Sequence, residues 1–279
     1  MPAFTTPNPI VAVIEFTAGD ARITASDRDD TVVEVYPSDK GDDADVRAAE
    51  QTRVEYADGR LLVKGPKQRT VLARPGSIDV TVNLPNQSQL QANGGIGAFH
   101  GEGQLGDCRI KTGAGDVMLA QTGALDVSTG AGSITVDRVT GSADVTTATG
   151  QIRLGQVSGR ASLKSSNGEV WVGAADGDLR VKSANGSVEV DQARADVEAT
   201  TANGDLRVRG LTQGTATLKT GTGAIEIGIG DGTAARLDAH TKFGKVRNQM
   251  QATDQPGPAE QTVEVYARTN FGDITVRRS

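Results

Sequence analysis

The chain has 279 residues, of which only 3% are aromatic, and it carries a formal net charge of −6. So few large rings fit a wide globular core poorly and suit a thin core between two close β-layers better. The acidic balance excludes the broad basic surface of a general nucleic-acid binder.

The sequence also bears on where the protein works. A single cysteine, Cys108, excludes an internal disulfide framework. There is no apolar run long enough for a transmembrane helix, and the opening Met-Pro-Ala-Phe has no basic and apolar regions of a signal peptide. We therefore expect no membrane insertion and a cytoplasmic location, with a surface location only by a non-classical route of export.

The first part of the chain predicts irregular β-structure. Apolar positions around Gly19 and Gly59 follow the pattern of the later repeats, and residues 77–84 alternate between apolar and polar. Residues 38–52 are polar and predict a short helix or loop. We interpret 1–85 as a β-rich N-terminal cap with irregular coils, continuous with a solenoid, since solenoid ends need polar protection.

The remainder of the chain is a repeat of about 18 residues. Each repeat is centred on a glycine. The second residue after each glycine is a branched aliphatic, and the third residue before it is always Ser or Thr. Within each half-repeat, inward and outward residues alternate, which is the signature of a β-strand. The central glycines are Gly115, Gly132, Gly150, Gly168, Gly186, Gly204, Gly223, Gly244 and Gly272.

Two architectures accommodate two strands per repeat: an antiparallel meander and a parallel solenoid. Columns of one residue type favour the solenoid, because equivalent residues of successive coils then stack directly. The sequence thus predicts an all-β, single-chain parallel β-solenoid (β-helix) with about 18 residues and two strands per coil, right-handed by the usual crossover preference. Regular coils occupy 86–279, interrupted by a Pro/Gly loop at 249–261.

Several phrases resemble a known bacterial family. They are Lys111-Thr-Gly-Ala-Gly-Asp116, Ser166-Asn-Gly168, Thr201-Ala-Asn-Gly-Asp-Leu206 and Thr269-Asn-Phe-Gly-Asp-Ile-Thr275. The sequence is similar over nearly its whole length to the β-strand-repeat family called domain of unknown function 4097, or "putative adhesin". The resemblance implies a β-solenoid without established catalytic residues, and the family label implies a role at the cell surface.

The residue pattern contains no convergent set of reactive groups. Cys108 falls in an aliphatic column and is interpreted as a buried hydrophobe. His100 and His240 are expected to be solvated and too far apart to share a metal. Aspartates that follow the central glycine are too few for a calcium-binding roll. Outward acids are interpreted as solvated charges rather than a glycosidase pair. We therefore predict no enzyme activity, no catalytic residue, no metal and no cofactor.

Two outward columns are the candidate contact surfaces. In one, three positions after the glycine, Arg153 precedes Trp171, the single tryptophan, and charges alternate further along. We predict that Arg153 stacks on Trp171 and that Trp171 anchors a partner. The other, four positions before the glycine, contains no acid and includes Lys164, Lys182 and Lys219. It predicts a basic strip for docking an anion or a protein.

The leading hypothesis is a non-catalytic structural or interaction protein that presents its solenoid faces to an unknown protein partner or to other copies of itself. The first alternative is a cell-surface, adhesin-like protein. The second is a β-helix that binds or cleaves polysaccharide, which rests on analogy of fold alone.

Overall fold

A computed structural model of the chain describes residues 2–66, 75–250 and 261–279. The chain divides into two compact units, Met1–Arg138 and Val139–Ser279. The predicted limit of the N-terminal cap at residue 85 lies inside the first unit. Most of the predicted loop at 249–261 lies outside the described residues.

The first unit consists of short strands and one nine-residue helix within the described part of the chain. Its elements are β1 (Ala3–Thr5), β2 (Val11–Ser26), β3 (Asp30–Pro37), α1 (Asp43–Gln51), β4 (Arg53–Ala57), β5 (Arg60–Lys64), β6 (Ser77–Pro85), β7 (Gln89–Ile96), β8 (Phe99–Gln104), β9 (Cys108–Ala114), β10 (Val117–Thr122) and β11 (Leu125–Ala131), with β12 (Ile134–Val139) ending at the boundary.

The N-terminal coil of the first unit lies between two coils that follow it in sequence. The first half of β2 pairs in parallel with β5 and with β7, and its second half pairs in parallel with β6 and with β8. Ile14, Phe16 and Ile23 of β2 are buried, as the pattern around Gly19 predicts. Strand β2 is therefore held on both edges.

The prediction of a solenoid coil around Gly59 is wrong. Strands β4 and β5 pair antiparallel, with Val54 opposite Val63. Asp58 and Gly59 both have positive φ, at 51° and 73°, and make the tight two-residue turn that reverses a chain into a hairpin. The predicted short helix within 38–52 is confirmed as α1.

Two aspartates hold α1 in place. Asp42 is its N-cap and accepts a hydrogen bond from the backbone N–H of Ala44 at 2.8 Å. Asp45 is buried and accepts from the backbone N–H of Ser77 at 2.8 Å, which links the helix to the start of β6. No helix in the described ranges is long and apolar enough to cross a bilayer.

The second unit contains the most regular coils. Its strands are β13 (Ala143–Thr149), β14 (Ile152–Val157), β15 (Ala161–Asn167), β16 (Val170–Ala175), β17 (Leu179–Asn185), β18 (Val188–Ala193), β19 (Val197–Asn203), β20 (Leu206–Leu211), β21 (Gly214–Thr222), β22 (Ile225–Ile229), β23 (Thr233–Phe243), β24 (Val246–Asn248), β25 (Gln261–Phe271) and β26 (Ile274–Arg278).

Parallel pairing in this unit confirms the solenoid. Each residue of β15 lies beside the residue 18 positions later in β17, and β16 pairs in the same way with β18. Val170 and Val188 are in register and only 1% and 2% exposed. Two strands per coil and stacked columns are therefore features of the structure, and the right-handed winding stays a prediction.

The turn glycines are required because neighbouring coils come very close. Gly186 has φ 143°, and a Cβ on it would lie 2.0 Å from the carbonyl oxygen of Gly168 in the adjacent coil. Any side chain would collide with that backbone oxygen. This contact explains why the central position of the repeat is always glycine.

Hydroxyl groups of the Ser/Thr column form hydrogen bonds to the same turn. The Thr220 hydroxyl donates to the carbonyl oxygen of Gly204 at 2.9 Å, and the Thr201 hydroxyl donates to that of Gly186 at 3.2 Å. Each hydroxyl thus bonds to the turn of the adjacent coil from within the core. In the described residues, the buried hydroxyl of Ser165 has no such partner.

The last two coils are stacked in the reverse of their sequence order. Strand β25 pairs with β21 on one side and with β23 on the other, and β26 likewise lies between β22 and β24. The C-terminal strands β25 and β26 are therefore paired along both edges. The outermost coil consists of β23 and β24, where Val246 is 47% exposed.

Candidate functional site

The predicted basic strip forms a continuous row on the outer surface of the second unit. We call it the lysine row. In spatial order it consists of Thr146, Lys164, Lys182, Thr200, Lys219, Arg268 and His240. The sequence order predicts His240 directly after Lys219, and this is wrong, because β25 is inserted and places Arg268 between them.

Lys164 and Lys182 are direct neighbours in register. Adjacent strands are about 4.8 Å apart, so the two ammonium groups extend from almost the same place. Both side chains are exposed, and so is Lys219. None of these three lysines makes an ion pair within the described ranges. Like charges opposite one another weaken a ladder rather than support it.

Two other basic residues of this unit are held in ion pairs. Arg268, at the end of the lysine row, binds the Asp238 carboxylate at 2.6 Å. This hydrogen bond lowers the pKa of Asp238 and raises the pKa of Arg268. Arg180 similarly binds Glu198 at 2.9 Å. Lys164, Lys182 and Lys219, in contrast, form no ion pair in the described residues.

The surface on one side of the lysines carries small side chains. Two positions further along each strand the residues are small, namely Ser166, Ala184 and Ala202. Next to them, asparagines from three coils form a hydrogen-bonded row, which we call the asparagine ladder: Asn167, Asn185 and Asn203. The small side chains leave this side of Lys164 and Lys182 open to an extended chain.

The second candidate surface is a groove of about 380 Å³ on the outer side of the second strand of each coil. We call it the tryptophan groove. The predicted stacking is confirmed, because the Arg153 guanidinium lies 5.8 Å from the centroid of the Trp171 ring. The groove spans four successive coils and is lined by Arg153, Glu169, Val170, Trp171, Ser187, Glu189 and Arg207.

Two of the lining charges are already held by neighbours. Arg207 binds both carboxylate oxygens of Glu226, at 2.9 and 3.3 Å. The hydrogen bond lowers the pKa of Glu226 and raises the pKa of Arg207. Glu189 forms an ion pair with Arg209. These pairs fix the side of the groove opposite Arg153.

The predicted alternation of charge in this column ends at Glu226. The sequence order predicts Arg247 as its next neighbour, and this is wrong, because Thr275 of β26 lies between them in register. Arg247 instead binds Asp273 at 2.9 Å.

The family of the chain follows from a comparison of its sequence with models of known protein families. A family model described as Toastrack DUF4097 matches residues 12–277, which is almost the full length. The chain belongs to this family. The resemblance to this family that the glycine-centred sequence segments indicate is thereby confirmed.

Solved structures with similarity to this Toastrack chain come from three bacteria. A "putative cell adhesion protein" from Clostridium sporogenes has 10% identity and a TM-score of 0.30, over 100% of this chain and 98% of the other. A "putative adhesin" from Bacteroides fragilis has 15% identity and a TM-score of 0.41, over 99% of this chain and 95% of the other. A "putative adhesin" from Parabacteroides merdae has 13% identity and a TM-score of 0.45, over 100% of this chain and 95% of the other. No curated protein matches the sequence.

Aspartates after the turn glycine have a structural role in this Toastrack chain. Asp205 accepts from the backbone N–H of Ala224 at 2.8 Å, and Asp273 accepts from that of Lys245 at 2.8 Å. Each carboxylate bonds a backbone donor of the adjacent coil. No group of three or more potential metal ligands occurs in the described part of the chain.

Cys108 is a core residue, as its column predicts. Its side chain is 2% exposed, and its thiol donates a weak hydrogen bond to the carbonyl oxygen of Gly106 at 3.5 Å. Burial raises the pKa of the Cys108 thiol to about 11, so the reactive thiolate is scarce at neutral pH.

Sequence reasoning identified Trp171 and Arg153 but missed two residues that the groove brings beside them. Glu169 and Ser187 stand one position after their central glycines and point to the same outer side as Trp171. The signal was available, because alternate residues of a strand share a face.

Proposed function

We propose that this chain is a non-catalytic interaction protein that binds an acidic segment of a partner protein along its lysine row. One observation carries the proposal: Lys164 and Lys182 are stacked in register, are exposed, and form no ion pair in the described residues. A bound carboxylate would relieve their mutual repulsion, which a water-exposed pair alone cannot do.

The setting of the lysines supports a protein-sized partner. Lys164, Lys182 and Lys219 extend across four stacked strands, with Thr200 between the last two. Repeated groups at a spacing of about 4.8 Å suit an extended acidic chain better than a single small anion. Charge attraction of this kind accelerates association and weakens as salt is added.

The outward acids support a non-catalytic role. Asp126 binds Arg109 at 2.9 Å, Glu198 binds Arg180, and Asp238 binds Arg268. Carboxylates held in ion pairs by arginines differ from the two carboxyl groups that face a substrate across the cleft of a glycosidase.

Affinity purification from the native organism tests the proposal. Replacing Lys164, Lys182 and Lys219 with Glu should abolish co-purification of the partner, whereas replacing the same three with Arg should preserve it. A charge-matched control replaces the exposed Lys40, Lys242 and Lys245 with Glu and should retain the partner. Equal recovery with all three variants would rule out the lysine row.

Cell fractionation separates the interaction role from the adhesin alternative. The cytoplasmic location is a prediction of the sequence. Detection of the native protein in the wall or secreted fraction would favour the adhesin-like role, and light scattering at high concentration would reveal self-association.

A further inference from the structure

The tryptophan groove has the dimensions of a ligand site. Its volume of about 380 Å³ falls within the roughly 300–1,000 Å³ that small-molecule sites occupy. It lies on the second strand of each coil, whereas the lysine row lies on the first. A partner on the lysine row therefore leaves the chemistry of this groove unexplained.

Trp171 supplies an apolar surface on an otherwise polar face. Its side chain is half-buried, and its indole extends towards Gly173, where an added Cβ would lie 3.0 Å from the ring atom Cη2. The glycine thus leaves room for the ring beside the strand. Arg153 covers part of the indole from the adjacent coil. A ring held in this way can contact a ligand without losing further side-chain freedom.

The charges of the groove balance. Glu169 and Glu189 are matched by Arg153 and Arg207, and Glu189 and Arg207 are already held by Arg209 and Glu226. An anionic ligand would meet Glu169, and a cationic ligand would meet Arg153 on the ring. Neither sign of charge is favoured.

The remaining groups suit a polyhydroxylated ring. Glu169 is exposed and makes no ion pair in the part of the chain described, so its carboxylate is available to accept hydrogen bonds. The Arg153 guanidinium supplies hydrogen-bond donors, and the Ser187 hydroxyl can both donate and accept a hydrogen bond. The C–H face of a sugar ring can cover the indole while its hydroxyls bond to these groups. A purely apolar ligand would desolvate Glu169 without a partner.

We infer that the tryptophan groove binds a neutral glycan, with a pyranose ring against Trp171 and its hydroxyls bonded to Glu169 and Arg153. This site is independent of the lysine row, so either can fail without the other.

The single tryptophan makes the test direct, because fluorescence excited selectively at tryptophan, and not at the three tyrosines, reports on Trp171 alone. The intact chain is titrated with malto-, cello- and manno-hexaose, and with oligogalacturonate and choline as charged comparators. A saturable change in emission with a neutral hexaose, and a weaker response to both charged probes, is expected. The absence of saturable binding by all three neutral sugars, or tighter binding of a charged probe, overturns the inference.

Variants assign the binding to the groove. Trp171→Ala, followed by calorimetry, should weaken binding of the responding hexaose roughly tenfold or more, as for a central aromatic contact. Glu169→Gln, followed by fluorescence, should weaken it several-fold and is a surface change that leaves the fold intact. Unchanged affinity in Glu169→Gln, or in a folded Trp171→Ala, contradicts the proposed contacts.

The lysine-row variant is the matched control. Replacing Lys164, Lys182 and Lys219 with Glu should leave sugar affinity unchanged, and Trp171→Ala should leave co-purification of the acidic partner unchanged. These reciprocal results distinguish failure of the glycan site from failure of the proposed function.

Discussion

The side-chain amide of Asn185 donates to the Oδ1 atom of Asn167 at 3.0 Å. Asn203 donates to Asn185 in the same way at 2.9 Å. Each asparagine therefore bonds to its equivalent one coil away, as in the amide ladders of stacked parallel strands. The ladder is exposed, so it adds to the stacking of coils without occupying the core.

Removing the middle amide should weaken the second unit measurably. Asn185→Ala loses both ladder bonds, and water can replace them only in part, so the free energy of unfolding should fall by about 1 kcal/mol. Urea unfolding measures the change. Thr149→Ala, in the same column but outside the ladder, should shift stability by less than about 0.5 kcal/mol. Equal effects of the two substitutions would show that the ladder does not contribute.

The asparagine ladder was predictable, because Asn-Gly recurs in three successive repeats and stacked coils place equivalent residues beside one another. The order of the terminal coils was not predictable in this way, because residues 233–248 and 261–279 carry the same pattern. One signal existed: Asn248 replaces the aliphatic residue found in every other repeat at that position, and it is exposed in the outermost coil. The polar residue marks the open end.

The candidate site was partly predictable for the same reason. Register alone placed Lys164 beside Lys182 and Arg153 beside Trp171, and the structure agrees. The ion pair between Glu189 and Arg209 was less predictable, because a column position does not specify where a long side chain will reach. Arg209 forms ion pairs with two acids of the adjacent coil, Glu189 and Asp191. Asp191 belongs to the same column as Arg209, whereas Glu189 belongs to another.

The Ser/Thr column yields a paired prediction. Thr220→Val keeps the shape but removes the hydroxyl that bonds Gly204, and it should lower the free energy of unfolding by about 1 kcal/mol. Ser165→Ala removes a buried hydroxyl that has no partner in the described structure, and it should be close to neutral or stabilising. Thermal or urea unfolding of both variants provides the comparison. A larger loss in Ser165→Ala than in Thr220→Val would contradict the hydrogen bonding described.

Stability of the second unit should depend on pH through Glu226. Its pKa is lowered in the folded chain by the hydrogen bond from Arg207, so the folded state holds the proton less tightly than the unfolded state. The contribution is therefore complete above the ordinary glutamate pKa of about 4.3 and is lost as pH falls through the lowered value. Because both side chains are partly exposed, its size should be below about 1 kcal/mol.

Urea unfolding of Glu226→Gln at a series of pH values checks this dependence. The variant should be less stable than the parent at neutral pH, and the difference should shrink as the solution is acidified. Asn185→Ala, which alters a neutral side chain of the same unit, should differ from the parent by an amount that does not change with pH. A constant difference between parent and Glu226→Gln would exclude the linkage.

The reversed order of the last two coils has the sharpest consequence for stability. Ile274, five residues from the end of the chain, is fully buried between β22 and β24, whereas Val246 is 47% exposed. Ile274→Ala should therefore cost about 2–5 kcal/mol, as a core truncation does. Val246→Ala should cost about 0.5 kcal/mol, as a surface change does. Coils stacked in sequence order would reverse this ranking, since Ile274 would then face solvent and Val246 would be covered. Chemical denaturation of the two variants, compared with Ile225→Ala as a core control in the adjacent coil, decides between the two orders.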